Sequence, residues 1–165
     1  MEIKDSFQTL LKASETNIKT GIDQIRYELA QKGLSKTPAG ADIYLERSID
    51  LLANETYKVL IEIKAEIFKP KEWEPIRSAL KQFIETNIDA IYDFLVNYWE
   101  QPAPPIASQL TLLKSSVLRE NDIYIDRQKI KLSRGEQIIK DIIKIFGYGL
   151  AAGVVGFLIK FILSH

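Results

Sequence analysis

The chain has 165 residues, with 22 basic and 22 acidic side chains and therefore no formal net charge. This balance argues against general nucleic-acid binding. The absence of cysteine excludes disulfides, thiol catalysis and cysteine-ligated zinc. The only histidine is the last residue, which argues against a histidine-based metal site or a Ser-His-Asp triad. We therefore expect a non-enzymatic protein without catalytic residues, cofactor or metal, and we identify no small-molecule substrate.

Two apolar stripes with helical spacing occupy the first 68 residues. The first repeats at intervals of three and four and predicts a helix over residues 3–32, with Gly33 as its C-cap. The second keeps a seven-residue rhythm and predicts a helix that begins at Thr37-Pro38 and runs to Phe68. A short turn between them predicts that these two helices pack antiparallel.

Two further helices are expected before residue 120. One begins near Trp73 and is stopped by the proline-rich stretch 101–105, and a shorter one runs from Ile106 to Val117. Their coiled-coil-like spacing predicts shallow packing angles. The expected fold class is all-α, with an elongated antiparallel four-helix bundle over residues 1–120.

The next segment alternates apolar and polar residues around a polar turn. Residues 122–132 therefore favour a small β-hairpin over the alternative of a helix, and we place the hairpin in a linker over residues 121–133. The following Ser133-Arg134-Gly135-Glu136 matches a capping box and predicts the start of a last helix. Four basic residues are candidate lipid-headgroup ligands, the alternative being a plain topology signal without lipid specificity. They are Arg127, Lys129, Lys131 and Arg134.

The last helix, over residues 134–165, contains an apolar run from Ile142 to Leu163 that is interrupted only by Lys144 and Lys160. As a helix this run is about 33 Å long, which matches a hydrocarbon core of about 30 Å if both lysines snorkel. A buried helix of a soluble bundle and an interfacial helix are the alternatives. Four glycines in the run favour a C-terminal transmembrane helix, because glycine is costly inside a water-soluble helix.

Charges that flank this run predict its orientation. Basic residues precede it and only His165 follows, and the start of the chain has no apolar signal-peptide region. We expect a single-pass, tail-anchored membrane protein whose N-terminal domain is cytoplasmic.

Small residues form one stripe of the predicted transmembrane helix, at spacings of three and four. The stripe predicts close packing on a second membrane helix, whereas the alternative is that the glycines face lipid. Its members are Gly149, Ala152, Gly153 and Gly156, continued by Lys160.

Aromatic and acidic side chains give two weaker signals. Trp73, Tyr92, Tyr98 and Trp99 lie near the ends of the third helix, where they either close the bundle or form a partner surface. Glutamates 55, 62 and 66 on the second helix lack the Glu-x-x-His pattern of di-iron bundles and are interpreted as solvated charges.

Three functional hypotheses follow from these patterns. The leading one is a membrane-anchored interaction module, with membrane lipid and either a protein partner or a homo-oligomer as its partners. The runner-up is a pore-forming effector, such as a toxin or a prokaryotic immunity effector, which the bundle holds in check. The third is a carboxylate-dependent enzyme that acts on lipid.

Overall fold

The computed structural model describes residues 3–100 and 103–163, with side chains described at residues 5–100 and 105–143. Within these ranges the chain is an all-helical bundle without strands, which confirms the predicted fold class at that level. The four helices are α1 (Ile3–Gln31), α2 (Pro38–Ile63), α3 (Trp73–Asp93) and α4 (Ala103–Leu163).

The turn between α1 and α2 forms as its sequence predicts. Gly33 has a φ of +67°, the left-handed conformation that ends many helices and that glycine adopts without strain. Thr37 caps α2, because its hydroxyl oxygen accepts a hydrogen bond of 3.0 Å from the backbone N–H of Gly40. A Cβ on Gly40 would lie 2.0 Å from the Leu34 carbonyl oxygen, so this close approach of the backbone requires glycine.

The end of α2 departs from the prediction, because the helix stops at Ile63 and not at Phe68. Two 3-10 turns, Lys64–Glu66 and Pro70–Glu72, connect it to α3. Between them Ile67 is extended but buried, so the apolar rhythm continues after the helix has ended. This continuity explains why the spacing of apolar residues overestimated the length of α2.

The core lies along the axis of the bundle, as the apolar stripes predict. Past Asp93 the third helix widens into a π turn, Phe94–Tyr98, which ends it before the prolines. The largest fully buried side chains come from all four helices and the π turn. They are Ile18, Leu29, Tyr44, Leu52, Leu60, Ile63, Trp73, Leu80, Ile84, Ile91, Leu95 and Ile125.

The predicted β-hairpin over residues 122–132 is wrong, because this segment is part of the continuous helix α4. Its buried positions follow helical spacing through Val117, Asn121, Ile125 and Gln128. Two of these four residues are polar, so the apolar stripe is interrupted in the sequence. Asn121 is accommodated by hydrogen bonds to the Val117 carbonyl oxygen (2.9 Å) and the Thr56 hydroxyl (3.4 Å).

The predicted helix start at Ser133–Glu136 is wrong for the same reason. Residues 133–136 lie inside α4, which passes them without a break. A Cβ on Gly135 would meet no atom within 4 Å, so no close contact requires glycine there. The predicted short fourth helix and the last helix are therefore one element.

The helices alternate in direction, and this places their ends in two groups. Asn17 hydrogen-bonds Glu55, and Glu28 pairs with Arg47. Residue numbers therefore rise along α1 as they fall along α2, so these helices are antiparallel. Arg77 pairs with Asp122, and Glu85 pairs with Lys114, so α3 and α4 are antiparallel as well. We call the end that holds the α1–α2 turn and the π turn the far end. The opposite end, which holds residues 64–72, is the exit end, because α4 leaves the bundle there.

Beyond the exit end, α4 continues without packing on the bundle. Leu132 is the last apolar residue of α4 that packs against the core among the described side chains. The four isoleucines that follow, Ile138, Ile139, Ile142 and Ile143, are between 48% and 64% exposed.

Within the described residues, no helix has the length and apolarity needed to cross a membrane. From residue 144 onward the predicted segment 142–163 lies outside the residues with described side chains.

Candidate partner-binding surface

Three aromatic rings pack together at the far end of the bundle. The centroid of the Tyr44 ring lies 4.9 Å from that of Phe94 and 5.4 Å from that of Trp99, and the last two are 5.9 Å apart. Tyr44 and Trp99 are buried. Burial raises the pKa of the Tyr44 hydroxyl, so this group stays protonated at physiological pH. The cluster forms the base on which the exposed ring of Tyr98 stacks.

Tyr98 lies on the outer side of this cluster and faces solvent. Its ring stacks on Phe94 with centroids 4.9 Å apart and planes inclined by 19°, yet 59% of the residue is exposed. An aromatic ring that is already held by stacking loses little conformational entropy when it is covered by a partner. Tyrosine is one of the residue types that contribute most to binding energy at protein interfaces. Tyr98 is therefore a candidate hot-spot residue.

Two cations lie beside the rings. The guanidinium carbon of Arg26 is 3.7 Å from the Phe94 centroid, and its Nη2 atom is 3.4 Å from the Tyr44 hydroxyl. The Lys36 Nζ atom is 5.2 Å from the Tyr98 centroid and 3.6 Å from Glu100 Oε1. Both distances to a ring centroid are within the range of cation–π interactions. Phe94, Tyr98 and Trp99 line a cavity of about 540 Å³ between α1 and the π turn, together with both cations.

Local backbone geometry builds this surface. The π turn adds a residue to the last turn of α3, which is a recurrent feature of functional sites in helices. Lys36, which lines the cavity, and its ion-pair partner Glu100 have φ angles of +59° and +56°. Such left-handed conformations are uncommon for residues with a side chain. One of them lies in the connection between α1 and α2, and the other lies just after the π turn.

The structure separates the predicted aromatic candidates into two groups. Trp73 and Trp99 are buried and close the two ends of the bundle, and Tyr92 is half-buried. Only Tyr98 of the four is exposed, so only it fits the predicted partner surface. Arg26 was not predicted, because it lies on another helix and nothing in its sequence neighbourhood relates it to α3.

The four predicted headgroup ligands lie on α4 but do not all face the same way. Lys129 forms an ion pair with Glu74 at the start of α3, and this hydrogen bond lowers the pKa of the Glu74 carboxyl. The other three are exposed, on the side of α4 that faces away from the bundle. They are Arg127, Lys131 and Arg134.

Glu55 was predicted as a solvated charge, and this is wrong, because the residue is 4% exposed. Burial alone would raise the pKa of its carboxyl, but hydrogen bonds from Lys58 and Asn17 outweigh that effect and lower it. It is the only buried carboxylate among the described side chains. Because both of its oxygens accept hydrogen bonds from neighbouring residues, its geometry fits a structural role.

The predicted small-residue stripe, Gly149, Ala152, Gly153, Gly156 and Lys160, lies outside the residues with described side chains. In the part of the chain that the structure describes, no group of three or more His, Cys, Asp or Glu residues is placed to hold a metal ion. Comparisons with protein-family models, curated proteins and solved structures found no match to this chain.

Proposed function

We propose that this protein is a tail-anchored, single-pass membrane protein whose helical bundle binds a protein partner and recruits it to the membrane. The observation that supports anchoring is the course of α4. It leaves the bundle after Leu132 and carries exposed isoleucines directly toward the apolar run that begins at Ile142. Exposed isoleucines at the start of such a run are costly in water, and lipid would cover them.

The charge distribution supports a cytoplasmic bundle in this proposal. Arg127, Lys131 and Arg134 are exposed on α4 shortly before the apolar run. Basic residues within 15–20 residues of a membrane helix are retained on the cytoplasmic side. Lys140 adds a fourth exposed basic residue in the same stretch.

The far end supports the partner-binding half of the proposal. Tyr98 and Arg26, with Lys36 at the rim, combine an exposed aromatic ring with cations around one cavity. Tyrosine and arginine are enriched at interface hot spots. Because the exit end would face the membrane, the far end is the part of the bundle that a cytosolic protein reaches without steric hindrance from lipid.

Anchoring is tested with the full-length chain and one charge placed in the apolar run. Val155→Asp puts a carboxylate near the middle of the predicted span, where insertion costs about 3 kcal/mol. We expect the wild type to resist alkaline extraction from membranes and Val155→Asp to be extracted. Leu112→Asp is the matched control, because Leu112 is 72% exposed on α4 of the bundle and should leave extraction unchanged. An extractable wild type would refute anchoring.

Recruitment is tested by photo-crosslinking in cells. A photoreactive residue at position 98 should give a defined adduct with a second protein, whereas the same residue at the equally accessible position 112 should not. That second protein should move from the membrane fraction to the soluble fraction when Val155→Asp replaces the wild type. If the second protein is distributed between the membrane and soluble fractions in the same way with Val155→Asp as with the wild type, recruitment is contradicted.

A second candidate, the oligomerising pore-forming effector, is favoured by one observation. Ile139 and Ile143 are exposed on neighbouring turns of α4 and offer a surface for a second copy of that helix. This hypothesis predicts leakage of dye from liposomes, abolished by Gly153→Leu on the small-residue stripe. The absence of leakage in every oligomeric state would exclude it.

A further inference from the structure

The connection between α2 and α3 carries the most exposed large apolar side chain of the described residues. Phe68 is 73% exposed, whereas its neighbour Ile67 is 3% exposed. The backbone N–H groups of Phe68 and Lys69 donate hydrogen bonds of 3.0 and 2.8 Å to one carboxylate oxygen of Glu72. The buried Ile67 and this carboxylate fix the loop from both sides, so the outward position of Phe68 is built into the fold.

The charged side chains around Phe68 are mainly basic where they are exposed, which favours contact with an anionic surface. Lys64, Lys69 and Lys71 are exposed in this loop, whereas the two acidic residues, Glu66 and Glu72, are half-buried. The Glu72 carboxylate is moreover occupied by the two backbone N–H groups. The loop therefore presents an aromatic ring between lysines, a combination typical of protein segments that lie at a membrane interface.

The loop lies on the exit end, beside the helix that leads to the apolar run. The turn Pro70–Glu72 packs on α4, and Glu74, two residues further along the chain, pairs with Lys129 of α4. Ile125, Leu132, Ile139 and Ile143 follow one another at helical spacing on the face of α4 that is turned to the bundle. Past Leu132 that face is exposed, so its isoleucines lie on the same side of α4 as the loop.

Simultaneous contact of the tail and the loop requires α4 to incline, because about 8–10 Å of height separate Leu132 from the headgroup layer when the helix is upright. From Leu132 to Ile142 the helix advances about 15 Å, and headgroups cover about 5–7 Å of that height. Membrane helices tilt by about 20° on average. A tilt toward the isoleucine face brings that face into the headgroup layer and lowers the loop toward it.

We infer that Phe68 and its flanking lysines form a second membrane contact, in which the ring enters the interface of a bilayer containing anionic lipid. This contact rests on the proposed anchoring. With both contacts the bundle is held at a defined inclination to the membrane, and with the tail alone it would be free to swivel.

The chain contains no cysteine, so a single introduced thiol can be labelled specifically. Two exposed alanines offer a matched pair, Ala65→Cys in the loop and Ala39→Cys at the far end. Each full-length variant carries an environment-sensitive fluorophore and is reconstituted into vesicles with 30% phosphatidylserine and headgroup spin-labelled lipid. We expect at least three-fold stronger quenching at position 65 than at position 39. Phe68→Ala should reduce the quenching at position 65 by half or more, and Leu112→Ala should not.

The outcomes separate this inference from anchoring. If the protein floats with the vesicles but both positions are quenched equally, or if Phe68→Ala has no effect at position 65, the loop contact is refuted and anchoring stands. If the wild type does not float, anchoring is refuted and the loop contact with it.

Discussion

Substitution of Ile125 by alanine tests the packing of α4 most directly. Ile125 is 1% exposed, whereas Ile123, two residues earlier, is 41% exposed. In a helix these two side chains point about 200° apart. In a strand they would share one face, because side chains there alternate with a period of two. Alanine at the two positions therefore distinguishes the helix from the hairpin that the sequence pattern predicts.

The expected magnitudes follow from burial. Ile125→Ala removes a fully buried side chain and should lower the free energy of unfolding by about 3 kcal/mol, after the cavity is included. The higher helix propensity of alanine offsets only about 0.4 kcal/mol of this loss. Ile123→Ala combines the same gain in propensity with a partly exposed side chain, so its effect should stay within about 0.5 kcal/mol.

The assay is urea unfolding of the full-length protein in a mild nonionic detergent, followed by tryptophan fluorescence. Both tryptophans report on the bundle, because Trp73 and Trp99 are buried at opposite ends. With an m value of about 2 kcal/mol/M, Ile125→Ala should lower the midpoint by about 1.5 M. Equal shifts for the two variants would refute the helical packing of this segment.

Three further predictions concern other parts of the fold. Gly135→Ala should slow amide hydrogen exchange around it, because glycine inside a helix costs about 1 kcal/mol; unchanged exchange would indicate a helix end there. Because the pKa of Glu55 is lower in the folded state, its ionised carboxylate stabilises the folded state at pH values above 4.5, the ordinary carboxyl pKa. This stabilisation is lost as the pH falls through the lowered pKa. Glu55→Gln should therefore flatten the acid limb of a stability–pH profile, and an unaltered limb would contradict the assignment. Arg127→Gln should lower the preference for anionic over neutral vesicles about five-fold, the equivalent of about 1 kcal/mol. Lys129→Gln should lower it less, because Lys129 is paired with Glu74; equal effects would contradict this difference.

Sequence patterns predicted the parts of the fold that depend on local chemistry and apolar spacing. The cap at Thr37 and the left-handed Gly33 follow from residues that are adjacent in the chain. The end of α2 could not be predicted, because Ile67 fills the next core position from an extended backbone. The course of α4 was missed because Asn121 occupies a buried position, and its hydrogen-bond partner Thr56 lies 65 residues away.

The candidate partner-binding surface was also predicted only in part from the sequence. Tyr98 could be singled out from its position at the end of an apolar stripe, but its exposure depends on the π turn, for which the sequence has no signal. Arg26 reaches Phe94 only through the antiparallel arrangement of the bundle. Contacts between helices that are distant in the chain are set by tertiary packing, and periodicity within one segment does not specify them.

The unbroken course of α4 has a mechanical consequence. Its 61 residues form a rod of about 90 Å that begins beside the π turn and ends at Leu163. A hairpin or loop between bundle and tail would absorb rotation, whereas a helix transmits torque along its whole length. Force applied at one extremity of α4 is therefore transmitted to the other as a rotation or inclination of the same helix.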